Sequence, residues 1–243
     1  MSGHSKWNNI KNKKEKTDAQ KAKVFTKIGK EIAIAVRAGG PDPNVNRKLK
    51  DLIAKAKSLN VPNDNIERSI KKASGADGVS YEEITYEGYG PSGIAVIVET
   101  ATDNRNRTAS EMRHYFDKYG GNLGQSGCVS FMFDDKGVII ITNEDGDIDE
   151  DALMECALEA GAADFAAEDG VFEIYTETDD LDFVKETLEN AGYTIESAEL
   201  DKIPQSYITL DNEDDIKNMN TLLERLEDND DVQEVYHNWE NAD

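Results

Sequence analysis

The chain has 243 residues, of which 38% are aliphatic or aromatic and 32% charged, and its formal net charge is −23. That length allows one large domain or two to three small ones, and no apolar run approaches the roughly 20 residues that a bilayer-spanning helix needs. The opening Met1-Ser2-Gly3-His4-Ser5-Lys6-Trp7 lacks the apolar stretch of a secretory signal, and Ser2 rather than glycine follows Met1, which excludes N-myristoylation. A cytoplasmic protein with no membrane partner is therefore expected.

The charge is strongly segregated. Met1 to Gly75 carries 18 Lys and Arg against 7 Asp and Glu, a net of +11, whereas the remainder carries 9 against 43, a net of −34. Such opposition predicts a cationic contact module joined to an acidic body.

Residues 1 to about 16 show no hydrophobic period and read as a flexible basic arm. A helix is predicted from Thr17 or Asp18, with Val24, Phe25, Ile28, Ile32, Ala35 and Val36 on one face. Lys16, Lys23, Lys27, Lys30 and Arg37 lie close to the opposite side. Gly39-Gly40-Pro41 stops it. A second helix is predicted from about Pro43 with Asp42 as its cap, carrying Leu49, Leu52, Ile53 and Ala56 inward and Lys48, Lys50, Lys55 and Lys57 mostly outward. Asn63 or Asp64 is expected to cap a third helix bearing Ile66, Ile70 and Ala73.

The pattern then changes to mixed strands and helices. Strands are predicted at Tyr81 to Tyr86, Ile94 to Glu99 and Cys128 to Phe133, with a helix over Thr108 to Tyr119. Near the far end come a strand at Ser206 to Leu210, a helix over Glu213 to Glu227 and a strand at Val232 to Asn238. Between these lies a β-α-β-β-α-β run. It comprises Val138 to Thr142, a helix over Asp149 to Ala160, a hairpin of Asp164 to Ala167 with Val171 to Thr176, a helix over Leu181 to Ala191, and a strand at Thr194 to Leu200. That order is ferredoxin-like, and Glu168-Asp169-Gly170 signals a type I′-like turn in its hairpin. The expected class is α+β with three domains. These are a basic three-helix N-terminal domain over 1–76, a discontinuous α/β domain over 77–135 plus 204–243, and a second α/β domain over 136–203 inserted in it, both α/β units being ferredoxin-like.

Several chemistries are disfavoured. Cys128 and Cys156 form no CxxC or Cys/His cluster, so neither a structural zinc site nor any other metal or cofactor is expected. His4, His114 and His237 are widely separated, and no nucleophile elbow is present, which argues against an enzyme. Gly120-Gly121-Asn122-Leu123-Gly124-Gln125-Ser126-Gly127 looks like a phosphate cradle but leads into a strand rather than opening a helix, and so reads as a turn. Acidic runs such as Asn229-Asp230-Asp231 read as loops or solvated faces, and His237 near Trp239 as packing or surface.

The expected nucleic-acid contacts are Lys6, Trp7, Lys11, Lys13, Lys14, Lys16, Lys21, Lys23, Lys27 and Lys30. Ammonium groups neutralise phosphates and release counterions without needing exact geometry, and an exposed tryptophan can stack on an unpaired base. Arg105 and Arg107, in Asp103-Asn104-Arg105-Asn106-Arg107-Thr108, are a secondary candidate. Their alternative role is to pair with this domain's own acids around a helix start, and the chemistry alone slightly favours that role.

Gly3-His4-Ser5-Lys6-Trp7-Asn8-Asn9-Ile10-Lys11 resembles the opening of the YebC/PmpR family. Further similar segments follow in order: Phe25-Thr26-Lys27, Gly39-Gly40-Pro41-Asp42-Pro43, Asp64-Asn65-Ile66-Glu67-Arg68, Tyr86-Glu87-Gly88-Tyr89-Gly90-Pro91, Asp103 to Thr108, Gly120 to Gly124, and Leu226 to Tyr236. The resemblance implies a cytoplasmic three-domain regulator of gene expression, conventionally labelled a DNA-binding transcriptional regulator. It also implies an alternative, a ribosome-associated translation factor that relieves stalling at proline runs. In that case Lys6, Lys11, Lys13, Lys14 and Lys16 would enter ribosomal RNA. Many members carry arginine after Ile10, whereas this chain has Asn12-Lys13-Lys14-Glu15-Lys16; lysine keeps the charge but not the planar fork, which favours phosphate binding over base readout there. A third reading, an acidic protein-interaction adaptor, rests on the −34 body.

Overall fold

The computed structural model describes residues 18–75, 79–143 and 146–240. Among the described residues three helices come first: α1 over Asp18–Gly39, α2 over Arg47–Ser58 and α3 over Asn63–Ser74. Their apolar stripes meet in one core of Ile28, Ile32, Val36, Leu49, Leu52, Ala56 and Ile66.

The second helix starts four residues later than Pro43, because the buried Asn46 organises the turn. Its side-chain oxygen caps α2 by accepting from the Leu49 N–H at 3.1 Å, and its amide donates to the Ala35 and Gly40 carbonyls at 2.8 Å each. Asp42 instead holds the preceding turn through the Asn44 N–H. A Cβ on Gly39 would lie 2.8 Å from the Asn46 side chain, so only glycine permits this close approach. The third helix begins after Pro62, with no side-chain cap from Asn63 or Asp64.

The chain is α+β: beyond the helical part lie two four-stranded antiparallel sheets. The first contains β1 (Glu82–Tyr89), β2 (Ala95–Thr102), β3 (Asn122–Leu123) and β8 (Val232–His237), in the order β3-β1-β2-β8. Helices α4 (Arg105–Lys118) and α7 (Glu213–Glu227) bury Met112, Phe116, Met219, Leu222 and Leu226 against Ile94, Val96 and Val98.

The second sheet contains β4 (Phe133–Thr142), β5 (Asp164–Glu168), β6 (Val171–Thr176) and β7 (Ser197–Pro204), in the order β5-β6-β4-β7. This is the ferredoxin-like order. Helices α5 (Glu150–Glu159) and α6 (Leu181–Asn190) cover Ile139, Ile141, Phe172 and Ile174. The first sheet repeats the spatial plan with permuted connections: β2–α4–β3 crosses over β1 as β4–α5–β5 crosses over β6.

The hairpin turn is as expected: Asp169 and Gly170 both take positive φ, 49° and 76°, which is the type I′ pattern. Two expected strands do not form. Cys128 to Phe133 is a short 3-10 turn over Ser130–Met132 before β4, and the neighbouring strand is Asn122–Leu123. Ser206 to Leu210 contributes a single bridge, Ile208 to Trp239. Strand β7 lies three to four residues beyond the expected Thr194 to Leu200, because Pro204 is its last paired residue, opposite Phe133.

Replacing Asn46 by Ala removes a helix cap and leaves two carbonyls without their donor, and should cost about 2–3 kcal/mol. Asn46→Asp keeps the cap oxygen but loses both donations and should not restore stability. Urea denaturation checks both variants.

Candidate nucleic-acid interface

Lys6, Trp7, Lys11, Lys13, Lys14 and Lys16 lie outside the described residues. Lys21 is exposed on α1. The other α1 lysines on the expected contact list face a partner inside the protein. Lys23, Lys27 and Lys30 recur at helical spacing, so they share one stripe, and that stripe seats on the C-terminal end of α7 and the loop after it. Lys23 Nζ pairs with Asp228 Oδ1 at 2.8 Å, and Lys27 Nζ donates to the Glu227 carbonyl at 2.6 Å. A helix C-terminus concentrates unsatisfied carbonyls and partial negative charge, which suits ammonium groups.

Lys30 corrects the expectation of an outward-facing contact. It is only 9% exposed. Its ammonium donates to Asp231 Oδ1 at 2.5 Å, to the Asp230 carbonyl at 2.8 Å and to the Ala101 carbonyl at 3.3 Å, and it lies 5.5 Å from the centre of the Tyr81 ring. All three N–H donors are used within the fold.

Asp231 is the other half of this joint and is 4% exposed, not the solvated loop residue its acidic run suggested. Its second oxygen accepts from Arg107 Nη2 at 2.6 Å, Thr108 Oγ1 at 2.8 Å and Thr102 Oγ1 at 3.1 Å. Burial pushes this carboxyl's pKa up, but the hydrogen bonds from Arg107, Lys30 and Thr108 outweigh it, and the net value falls to about 2. Arg107 also pairs with Asp103 at 3.0 Å, while Asn104 caps α4 by accepting from the Arg107 N–H. Arg107 thus takes the structural role among the domain's acids. Its neighbour Arg105 is exposed and makes no ion pair among the described residues. A polar cleft of about 380 Å³ opens here, lined by Thr26, Lys30, Tyr81, Arg107, Glu111 and Asp231 among others.

The glycine-rich segment is a turn with an internal anion. Glu87, on β1, is buried, and its carboxylate accepts from the N–H groups of Gly127 (2.7 Å), Val129 (2.9 Å) and Ser130 (2.8 Å). Burial raises its pKa, the three amides lower it further, and the net shift is downward. Those amides are therefore already occupied. His237 is packing: its Nδ1 accepts from the Trp239 N–H at 3.3 Å, and burial pushes its pKa down to about 4. Cys128 and Cys156 are both free thiols.

The cations that remain outward are mostly elsewhere in the helical part. Lys48 pairs with Glu83 at 3.0 Å and Lys55 with Glu234 at 3.5 Å. Lys50 and Lys57 on α2, and Arg68, Lys71 and Lys72 on α3, are exposed and make no ion pair among the described residues. Lys50 and Lys57 are seven positions apart and share one stripe, as do Arg68, Lys71 and Lys72 on theirs. The placement of Lys50 and Lys57 off the apolar stripe was legible. That Lys23 and Lys30 are captured inside the fold was not, because the acids that capture them lie about 200 residues away in sequence.

Two family models match the chain: the TACO1/YebC protein N-terminal domain over residues 5–76, and the TACO1/YebC second and third domain over residues 81–239. The chain belongs to the TACO1/YebC family. It is 62% identical over 240 residues to a "Probable transcriptional regulatory protein" of Acetivibrio thermocellus, covering 98% of this chain and 99% of that one. A protein of the same name from Lachnoclostridium phytofermentans is 58% identical over 241 residues, covering 99% and 100%. Among solved structures, the conserved hypothetical protein Aq1575 from Aquifex aeolicus matches with a TM-score of 0.85 at 46% identity, over 97% of each chain. The named relatives are described as probable transcriptional regulatory proteins. No helix of the described residues is long and apolar enough to cross a membrane.

The Asp231 joint sets an acid response. A carboxyl whose folded pKa is depressed stabilises the fold above its unfolded pKa, near 4, and that contribution is lost as pH falls toward 2. His237 adds an earlier loss, between its unfolded value near 6.5 and its folded value of about 4, because the unfolded chain takes up the proton first. Asp231→Asn leaves the Lys30 ammonium buried without its counterion and should cost about 3 kcal/mol at neutral pH. The gap in unfolding free energy between wild type and this variant should shrink from pH 4 toward pH 2. Denaturant titrations that stay parallel across that window would refute this assignment.

Proposed function

We propose that this regulator acts by binding nucleic acid through its helical part, with the basic arm and the outer faces of α2 and α3 as the contact. One observation carries the reading: Lys50, Lys57, Arg68, Lys71 and Lys72 stay exposed and unpaired among the described residues of a chain whose net charge is −23. A protein this acidic repels polyanions overall, so a polyanion approaches best where positive charge is gathered. In a fold rich in carboxylates, these cations have no acid partner among the described residues, whereas Lys23 and Lys30 on α1 pair with Asp228 and Asp231.

The names of the relatives favour a DNA-binding transcriptional regulator. Ammonium groups on helix faces neutralise phosphates of duplex DNA or folded RNA alike, so the ribosome-associated alternative rests on the same surface. The acidic adaptor reading needs no nucleic acid at all.

Crosslinking in cells, followed by sequencing of the attached nucleic acid, separates these. Genomic DNA is the expected recovery; ribosomal RNA alone would overturn the transcriptional reading, and neither would support the adaptor. With six phosphates neutralised, log K should fall against log salt with a slope of roughly −4 to −5. Arg68→Glu combined with Lys71→Glu and Lys72→Glu should flatten that slope by about 2 and weaken binding at low salt, with unfolding unchanged. Lys30→Gln, by contrast, should lower stability.

A further inference from the structure

The most acidic stretch of the chain is residues 133–205, with 23 Asp and Glu against three lysines and no arginine. Its helices are also unusual in exposing large apolar side chains on the side away from their own core. On α5, Leu153 and Ala157 are fully buried, yet Met154 and Leu158 are 37% and 49% exposed. On α6, Leu181, Val184 and Leu188 face inward while Phe183 is 65% exposed. The two helices pack against each other in one layer. Asp151, Met154, Glu155 and Leu158 fall on one stripe of α5 at helical spacing, and Glu186 lies three positions after Phe183 on α6. Exposed apolar side chains flanked by carboxylates therefore lie on the solvent side of both helices.

We infer that this face is a docking surface for a cationic, amphipathic protein segment, one carrying lysine or arginine alongside bulky apolar residues. Met154 and Leu158, one turn apart on α5, and Phe183 on α6 expose apolar area of the kind that contact surfaces bury, and Met adapts to varied partners. The charge then selects the occupant. Nucleic acid and anionic lipid surfaces share the sign of this face and are repelled by it. A second copy of the same face would oppose like charges at close range, which disfavours self-association. A basic segment instead gains Coulomb steering from the carboxylates and apolar burial from the three side chains. This surface is distinct from the proposed nucleic-acid contact on α2 and α3 and does not depend on it.

The test uses the full chain and two peptides of equal charge: an amphipathic helix-forming peptide of lysine and leucine, and an oligolysine without apolar residues. Titration calorimetry should show the amphipathic peptide binding at least about tenfold more tightly than oligolysine, a difference of 1.4 kcal/mol. The triple variant Met154→Ser, Leu158→Ser and Phe183→Ser keeps every charge and alters only exposed positions. It should lose that preference while its unfolding midpoint stays unchanged. Asp151→Lys with Glu155→Lys should weaken both peptides. Equal binding of the two peptides, or a triple variant that still discriminates, would overturn the proposal. So would a wild-type dimer in sedimentation that the triple variant dissolves, which would make the face a contact between copies.

Discussion

A buried ion pair, Lys30 with Asp231, ties the helical part to the first sheet. Neither group is free to adapt. Lys30 spends its three donors on one carboxylate oxygen and two carbonyls, and Asp231 divides its two oxygens between Lys30 and the Arg107–Thr108–Thr102 cluster. A buried pair of this kind adds little net stability compared with apolar packing, but losing one member leaves an uncompensated charge. Its value lies in orientation. The N-terminus of α4, the end of β2, the loop before β8 and the middle of α1 are fixed to one another by groups that tolerate little displacement.

That joint also explains how the chain keeps its opposed charges. Lys23, Lys27, Lys30, Lys48 and Lys55 are drawn toward acids or carbonyls of the first-sheet region. The helical part is thereby held by electrostatics on the faces turned inward, and most of its other described cations stand on α2 and α3. The same segregation that attracts a polyanion therefore also builds the scaffold that presents the attracting face.

Much of the fold was legible from pattern. The α1 stripe, the Asp169-Gly170 turn and the ferredoxin-like run announced themselves through spacing and turn chemistry, because those signals are local. The missed elements are ones whose outcome depends on distant partners. Cys128 to Phe133 has strand-like residues, but Glu87 captures the amides of Val129 and Ser130 and bends the chain there. Asp231 looks like Asp230 in sequence; only the arrival of Lys30 and Arg107 makes it a buried hub. Pro43 resembles a helix start, yet the reach of Asn46 back to Ala35 and Gly40 moves the start to Arg47. Of the candidate site, the charge was legible and its division between internal joint and outward surface was not, since that division is decided by tertiary contact.

The stripe of Lys23, Lys27 and Lys30 has a consequence for how this sequence can vary. Each added residue rotates everything beyond it by about 100° around a helix axis. A single insertion between Lys23 and Lys30 would therefore swing one lysine away from the end of α7 while leaving composition, charge and helical propensity almost untouched. Length along this stretch is constrained more tightly than residue identity. Drift in α1 should accumulate as substitutions rather than as insertions.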